Sequence, residues 1–195
     1  GTHKHAFCAV RPPGHHAGRN CAAGFCIFNN VAVGAAHALE VYALERIAII
    51  DFDVHHGDGT EEIFRDEQRV MFCSSFQHPF YPSTGADTNY PNLRNLPLPA
   101  GTGGAAWREA VSATWLPALR EFQPQLVMIS AGFDSHLEDD MGGFNLVERD
   151  YQWITRELCQ IAKEFSDGRV VSCLEGGYEL SPLGRSVTTH IKELA

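Results

Sequence analysis

No stretch of the 195 residues is apolar for long enough to span a bilayer, and the opening GTHKH lacks the apolar run of a secretory signal. The chain is therefore not read as a membrane protein, and the cytoplasm is the default compartment. Positive charge is scarce, with 15 Lys and Arg against 24 Asp and Glu and a formal net charge of −9. That balance disfavours nucleic-acid backbones and would draw cationic substrates such as lysine side chains or polyamines. No two of the six cysteines form a CxxC pair, so no redox or zinc-ribbon spacing is present. Several lie in apolar runs, where a reduced Cys behaves as a small hydrophobe. The Gly-rich stretch Pro99–Gly104 (PAGTGG) lacks the Gly-Lys-Ser/Thr ending of a phosphate loop and reads as a turn. What remains is 44% hydrophobic and 20% charged, enough for one sizeable core and a single domain over residues 1–195.

The most informative stretch is Arg46–Thr60, RIAIIDFDVHHGDGT. The β-branched run Ile47–Ile50 reads as a buried strand, ended by Gly57 and Gly59. Alternation along an extended chain sends Asp51, Asp53 and His55 to one side and Phe52 and Val54 to the other. Two carboxylates and an imidazole then converge at a strand end, and burying that much charge favours a bound cation.

Other strands end in the same way. His5–Val10 is a first strand, left through RPPGHHA, whose prolines present His15 and His16 from stiff backbone. A Gly-bearing loop with Phe25 leads to a helix over Val31–Leu44, capped by Asn29 or Asn30. The pattern then gives a helical turn at Thr60–Phe64, a strand at Val70–Ser74, a loop carrying Phe80 and Tyr81, and an extended piece at Asn95–Pro99. A helix over Ala105–Phe122 follows, kinked or divided at Pro117. The strand Gln125–Ala131 exits into Asp134, with Glu138, Asp139 and Asp140 read as a solvated acidic loop. A helix over Val147–Phe165, a strand over Arg169–Leu174 ending in Glu175-Gly-Gly-Tyr178, and a last helix with Ser181 as N-cap and Pro182 at its first position complete the chain. Strands alternating with helices predict an open, mostly parallel α/β sheet with helices on both faces, and such sheets place active sites beyond their strand ends. Asp53, His55 and Asp134 make a ligand set with an open coordination position, as catalytic zinc requires. With imidazoles to move protons and a phenol to steady an oxyanion, the set suits metal-assisted amide hydrolysis.

The motifs RPPGHHA, GFC, DFDVHHGDGT, AGFD and EGGY resemble those of the zinc-dependent histone deacetylase family, including bacterial deacetylase-like proteins and acetylpolyamine amidohydrolases. The resemblance runs through nearly the whole chain and implies an α/β fold of the arginase and deacetylase type. It implies that Asp53, His55 and Asp134 ligate Zn²⁺, with Fe²⁺ as an alternative ion. It makes His16 the general base and then acid, and gives His15 an electrostatic role. Asp51 would orient His15 and Asp58 His16, while Tyr178 donates to the substrate carbonyl. Gly24, Phe25, Tyr81 and Met141 match positions lining an acyl-lysine tunnel. A K⁺ beside the zinc would be held by the Asp51 side chain, the Ser74 hydroxyl and the carbonyls of Asp53, His55 and Ser75. The implied substrates are an acetylated lysine side chain or an acetylated polyamine, with no direct nucleic-acid or membrane partner.

Family catalytic domains are longer, and this chain starts almost at the strand before the histidine pair, so an N-terminal part is expected to be absent. Its absence would leave an apolar patch exposed and the chain prone to self-association. Two alternatives stay open: an arginase-like di-manganese ureohydrolase, against which HHGDG and Tyr178 argue, and a chain that binds metal or acyl-lysine without turnover.

Overall fold

The computed structural model describes residues 3–195. The β-branched run forms strand β2 (Ile47–Asp51), buried along its whole length. It pairs in parallel with β3 (Val70–Gln77) on one side and β5 (Leu126–Ala131) on the other. Strand β4 (Leu93–Leu98) extends the sheet beyond β3, and β6 (Val170–Leu174) and then β1 (His5–Cys8) extend it beyond β5. The order is β1-β6-β5-β2-β3-β4, and every pairing is parallel. Because the chain builds outward from β2 to β4 and then returns to place β5 on β2's other side, a crevice opens between the β2 and β5 exits.

Alternate residues of β2 feed two cores. Ala48 and Ile50 pack with Trp107 and Trp115 of α3 (Gly104–Phe122) and with Tyr151, Ile154 and Leu158 of α4 (Glu148–Phe165). Ile47 and Ile49 pack with Val31, Ala35 and Leu39 of α1 (Asn30–Val41) and Phe64 of α2 (Asp58–Phe64). Helices on both faces are why the central strands read as unbroken apolar runs. Each of these fully buried large side chains contributes roughly 1.5–3 kcal/mol. The last helix, α5 (Leu180–Leu194), is fastened to α4 through Gln152–Glu193 and Thr155–His190 hydrogen bonds.

Several boundaries differ from those expected. Strand β1 stops at Cys8 rather than Val10 and is a half-exposed edge strand. Asn29, not Asn30, caps α1, its side chain accepting from Ala32 N at 3.0 Å. Pro117 does not divide α3, because burial of Trp115, Leu116, Ala118 and Leu119 around it keeps the helix continuous. Helix α5 begins at Leu180 with Glu179 as its N-cap, which corrects the assignment of Ser181 to that place. Pro182 is tolerated there because N–H groups of a first helical turn have no intrahelical acceptor to lose.

Candidate active site

The loops beyond the strand ends bring the expected side chains together. Beyond β2 the alternation continues, so Phe52 and Val54 enter the core while Asp51 and Asp53 turn the other way, fully buried. Beyond β5 comes Asp134, also fully buried. Ligand atoms from Asp53, His55 and Asp134 all lie within 4.8 Å of one another. His55 Nδ1 is 3.0 Å from Asp53 Oδ1 and 3.2 Å from Asp134 Oδ2. Backbone donors fix the carboxylates from behind: Gly176 N reaches Asp53 Oδ2 at 2.8 Å, and Val54 N reaches Asp134 Oδ1 at 3.0 Å. At Gly176 a Cβ would stand 1.9 Å from Asp134 Oδ2, so only glycine lets that backbone come so close.

These residues fit a divalent cation. Asp134 Oδ2 is buried without an aligned hydrogen-bond donor, which is costly unless a positive group faces it. Burial and the neighbouring Asp53 push the Asp134 carboxyl up to about 6. Burial opposes charge on His55 as well, yet Asp134 and Asp53 outweigh it and carry the imidazole to about 10. Two carboxylates thus demand a positive charge between them, and two carboxylate oxygens with one imidazole nitrogen are a donor set that suits a divalent metal ion. A second orphaned polar atom, the fully buried Ser74 Oγ, lies at the β3 position paired with Asp51.

The vicinal histidines approach from the loop after β1, their ring centroids 4.1 Å apart. His15 Nδ1 meets Asp51 Oδ2 at 2.9 Å, and His16 Nδ1 meets Asp58 Oδ1 at 2.6 Å. Burial opposes protonation of His15, but Asp51 and Asp53 dominate and hold its pKa well above the ordinary histidine value. Burial, reinforced by His15, lowers His16 to about 4, so His16 is a neutral base near pH 7. Burial and then Asp53 and Asp134 raise the Tyr178 phenol, which keeps its proton and remains a donor.

Above these groups opens a cavity of about 460 Å³ with His16, His55 and Tyr178 at its base. Its walls are Gly24, Phe25, Phe80, Tyr81 and Met141, with Asp140 also lining it. Phe80 stacks on His55 at 5.3 Å, Tyr81 meets His16 edge-on at 5.2 Å and Phe25 meets Tyr178 at 6.0 Å. A Cβ on Gly24 would stand 2.2 Å from the His16 ring, which explains glycine there. Ser74 and Ser75 are buried in β3, and the Ser75 hydroxyl accepts from Trp107 Nε1 at 3.0 Å.

Sequence reasoning missed other members. Glu175, fully buried, accepts from the backbone N–H groups of Gly14 and His15 at 2.6 and 3.1 Å and from Ser130 Oγ at 3.0 Å, and burial raises its carboxyl to about 7. Its signal was available, since it is a carboxylate leaving an apolar strand just as Asp134 is. Asp139 is buried, which corrects the reading of residues 138–140 as a solvated run; Asp140 is exposed. His56 pairs with Glu61 at 2.9 Å and Thr84 at 2.8 Å, fastening the loop that carries Phe80 and Tyr81.

Comparisons with known proteins bear on the family and the fold. The model of the histone deacetylase domain matches residues 1–194. Histone deacetylase 14, chloroplastic, of Arabidopsis thaliana is 39% identical over 96% of this chain, and a probable deacetylase of Archaeoglobus fulgidus is 42% identical over 91%. The crystal structure of the HDA15 HD domain superposes with a TM-score of 0.92 at 38% identity over 98% of this chain. The chain spans about half the length of these proteins: 46%, 51% and 56% respectively.

Proposed function

Because the chain belongs to the histone deacetylase domain family, we propose that residues 1–195 form a catalytic domain that removes acetyl, or another acyl, groups from acetylated lysine or related acetylated amines. The observation that supports this reading is that a neutral imidazole (His16), a protonated phenol (Tyr178) and His55, whose ligand atom lies within 4.8 Å of those of the buried Asp53 and Asp134, line one aromatic-walled cavity.

Asp53, His55 and Asp134 would hold the ion, Zn²⁺ with Fe²⁺ as the alternative; when bound, it polarises the substrate carbonyl and lowers the pKa of a water to about 7. The aromatic walls take the alkyl stem of the substrate and exclude bulk water. His16, neutral and held through Nδ1 by Asp58, takes a proton as water oxygen adds to the acyl carbon. The Tyr178 hydroxyl donates to the carbonyl oxygen as it gains charge. His16 then returns the proton to the leaving nitrogen as the C–N bond breaks, giving a free amine and a carboxylic acid. The charged His15–Asp51 pair favours neutral His16 and steadies the base of the pocket. The partnerless Ser74 hydroxyl supports a K⁺ held with Asp51 and the carbonyls of Asp53, His55 and Ser75. A di-manganese ureohydrolase is less well supported, since the HHGDG segment and Tyr178 argue against it. No helix of the described residues is long and apolar enough to cross a membrane. A cytoplasmic location and self-association complete the proposal, resting on composition and on exposed apolar side chains.

The test is a panel of acetyl-lysine peptides and acetylpolyamines assayed with the wild type and with Tyr178→Phe. Amide hydrolysis is expected in the wild type, with kcat lowered about 10²- to 10³-fold in the variant and its metal content retained. Undiminished turnover in Tyr178→Phe would contradict the role given to the phenol.

A further inference from the structure

The turn from β6 into α5 carries Tyr178 and is intrinsically pliable, since it follows Gly176 and Gly177, the latter at φ +126°, where other residues are rarely found. Two charged side chains from distant loops hold it. Asp139, 4% exposed, accepts through Oδ2 from the backbone N–H of Tyr178 at 2.6 Å and of Glu179 at 3.1 Å. Its other oxygen accepts from Met141 N at 3.0 Å, so one carboxylate ties the turn to a wall of the substrate cavity. Arg11 donates from Nη2 to the Gly177 carbonyl at 2.7 Å, and its guanidinium lies 5.6 Å over the Tyr178 ring. Arg11 opens the loop that delivers His15 and His16, and Asp139 follows the Asp134 exit, so the two contacts register the phenol against both.

Charge-assisted hydrogen bonds of this kind are about twice as strong as neutral ones. A carboxylate at the N-cap of α5 is further favoured by the helix dipole. The phenol hydroxyl stands at the end of a long rigid side chain, so a small rotation of the turn displaces it far more than the backbone. Misplacement of a reacting group by about 1 Å can cost about 10²-fold in rate.

We propose that Asp139 and Arg11 are positioning residues that act through Tyr178, clamping its turn so that the hydroxyl is aimed at the substrate carbonyl. The proposal rests on the deacetylase reading of the site. If Asp139 merely held the loops together, its loss would harm the enzyme whether or not the hydroxyl were present; if it acts through Tyr178, the harm disappears once the hydroxyl is gone.

The experiment is a double-mutant cycle: Asp139→Asn and Arg11→Gln, each alone and each combined with Tyr178→Phe, with kcat, KM and metal content measured on an acetyl-lysine peptide. Each single variant is expected to lose about 10- to 100-fold, mostly in kcat, with metal content retained. In the Tyr178→Phe background the further loss is expected to be no more than about twofold. Equal fold-losses in both backgrounds, or no loss in either single variant, would overturn the clamp. Unchanged activity in Tyr178→Phe alone would instead overturn the reading beneath it. A readout independent of turnover is the ¹⁹F spectrum of 3-fluorotyrosine-labelled protein, which has five tyrosines. The resonance absent from Tyr178→Phe should be a single narrow line in the wild type, shifted or broadened in Arg11→Gln; an unaltered line would contradict the clamp. Arg11 is on the surface, so that variant serves if Asp139→Asn does not fold.

Discussion

Gly24 shows how little room the base of the pocket leaves. Its φ of +50° is unfavourable for other residues, and any side chain there would press on the His16 ring. Gly24→Ala should therefore displace the proposed base, lowering kcat by about 10²-fold while metal content is unchanged; wild-type kcat in that variant would show that His16 does not need this support. The clustering of Asp53, His55 and Asp134 was legible in the sequence because period-2 alternation carries Asp51, Asp53 and His55 past the strand end, and Asp134 leaves another apolar strand in the same manner. Asp139 was not, since an acid within Glu-Asp-Asp looks like any solvated run until the Tyr178 turn, 39 residues on, is folded over it. Arg11 was hidden for the same reason, because its partner is a backbone carbonyl 166 residues away.

Helix α5 docks through His190, which is fully buried between Thr155 and Ser172. Thr155 Oγ1 already donates to the Tyr151 carbonyl, so it accepts from His190 Nδ1–H, leaving Nε2 to accept from the Ser172 hydroxyl. The ring is thus neutral, and burial lowers its pKa from 6.5 to about 4. Since the unfolded chain takes up this proton first, the contribution to stability is complete above about pH 6.5 and is lost as pH falls toward 4. The difference corresponds to about 3 kcal/mol. Denaturant titrations at several pH values should show that loss in the wild type and a shallower one in His190→Gln; identical slopes would contradict the assignment. Element identities were largely readable from periodicity, whereas their ends were not. Pro117 stays inside a helix because four buried neighbours override its lost hydrogen bond, and the turn before α5 is tied at the N–H groups of Tyr178 and Glu179 by Asp139, from outside the local sequence.

The fold class followed from alternating strands and helices, but the order β1-β6-β5-β2-β3-β4 depends on pairings between distant segments that no local pattern records. Ile27, Phe28 and Val33 are 62%, 73% and 63% exposed and line a shared cleft beside α1, and Val10 adjoins it at the β1 edge. Size-exclusion chromatography with light scattering should find the chain self-associated, and Phe28→Ser with Val33→Ser should shift it toward monomer; a stable monomer that binds no hydrophobic dye would contradict this. The proposed chemistry depends most on a single ion held at the β2 and β5 exits. Its most direct test is titration of metal-free protein with Zn²⁺ while hydrolysis of an acetyl-lysine peptide is followed. Activity should rise from near zero to a break at about one equivalent per chain and be absent in Asp134→Ala, whereas a break at two equivalents, or turnover indifferent to the metal, would contradict it.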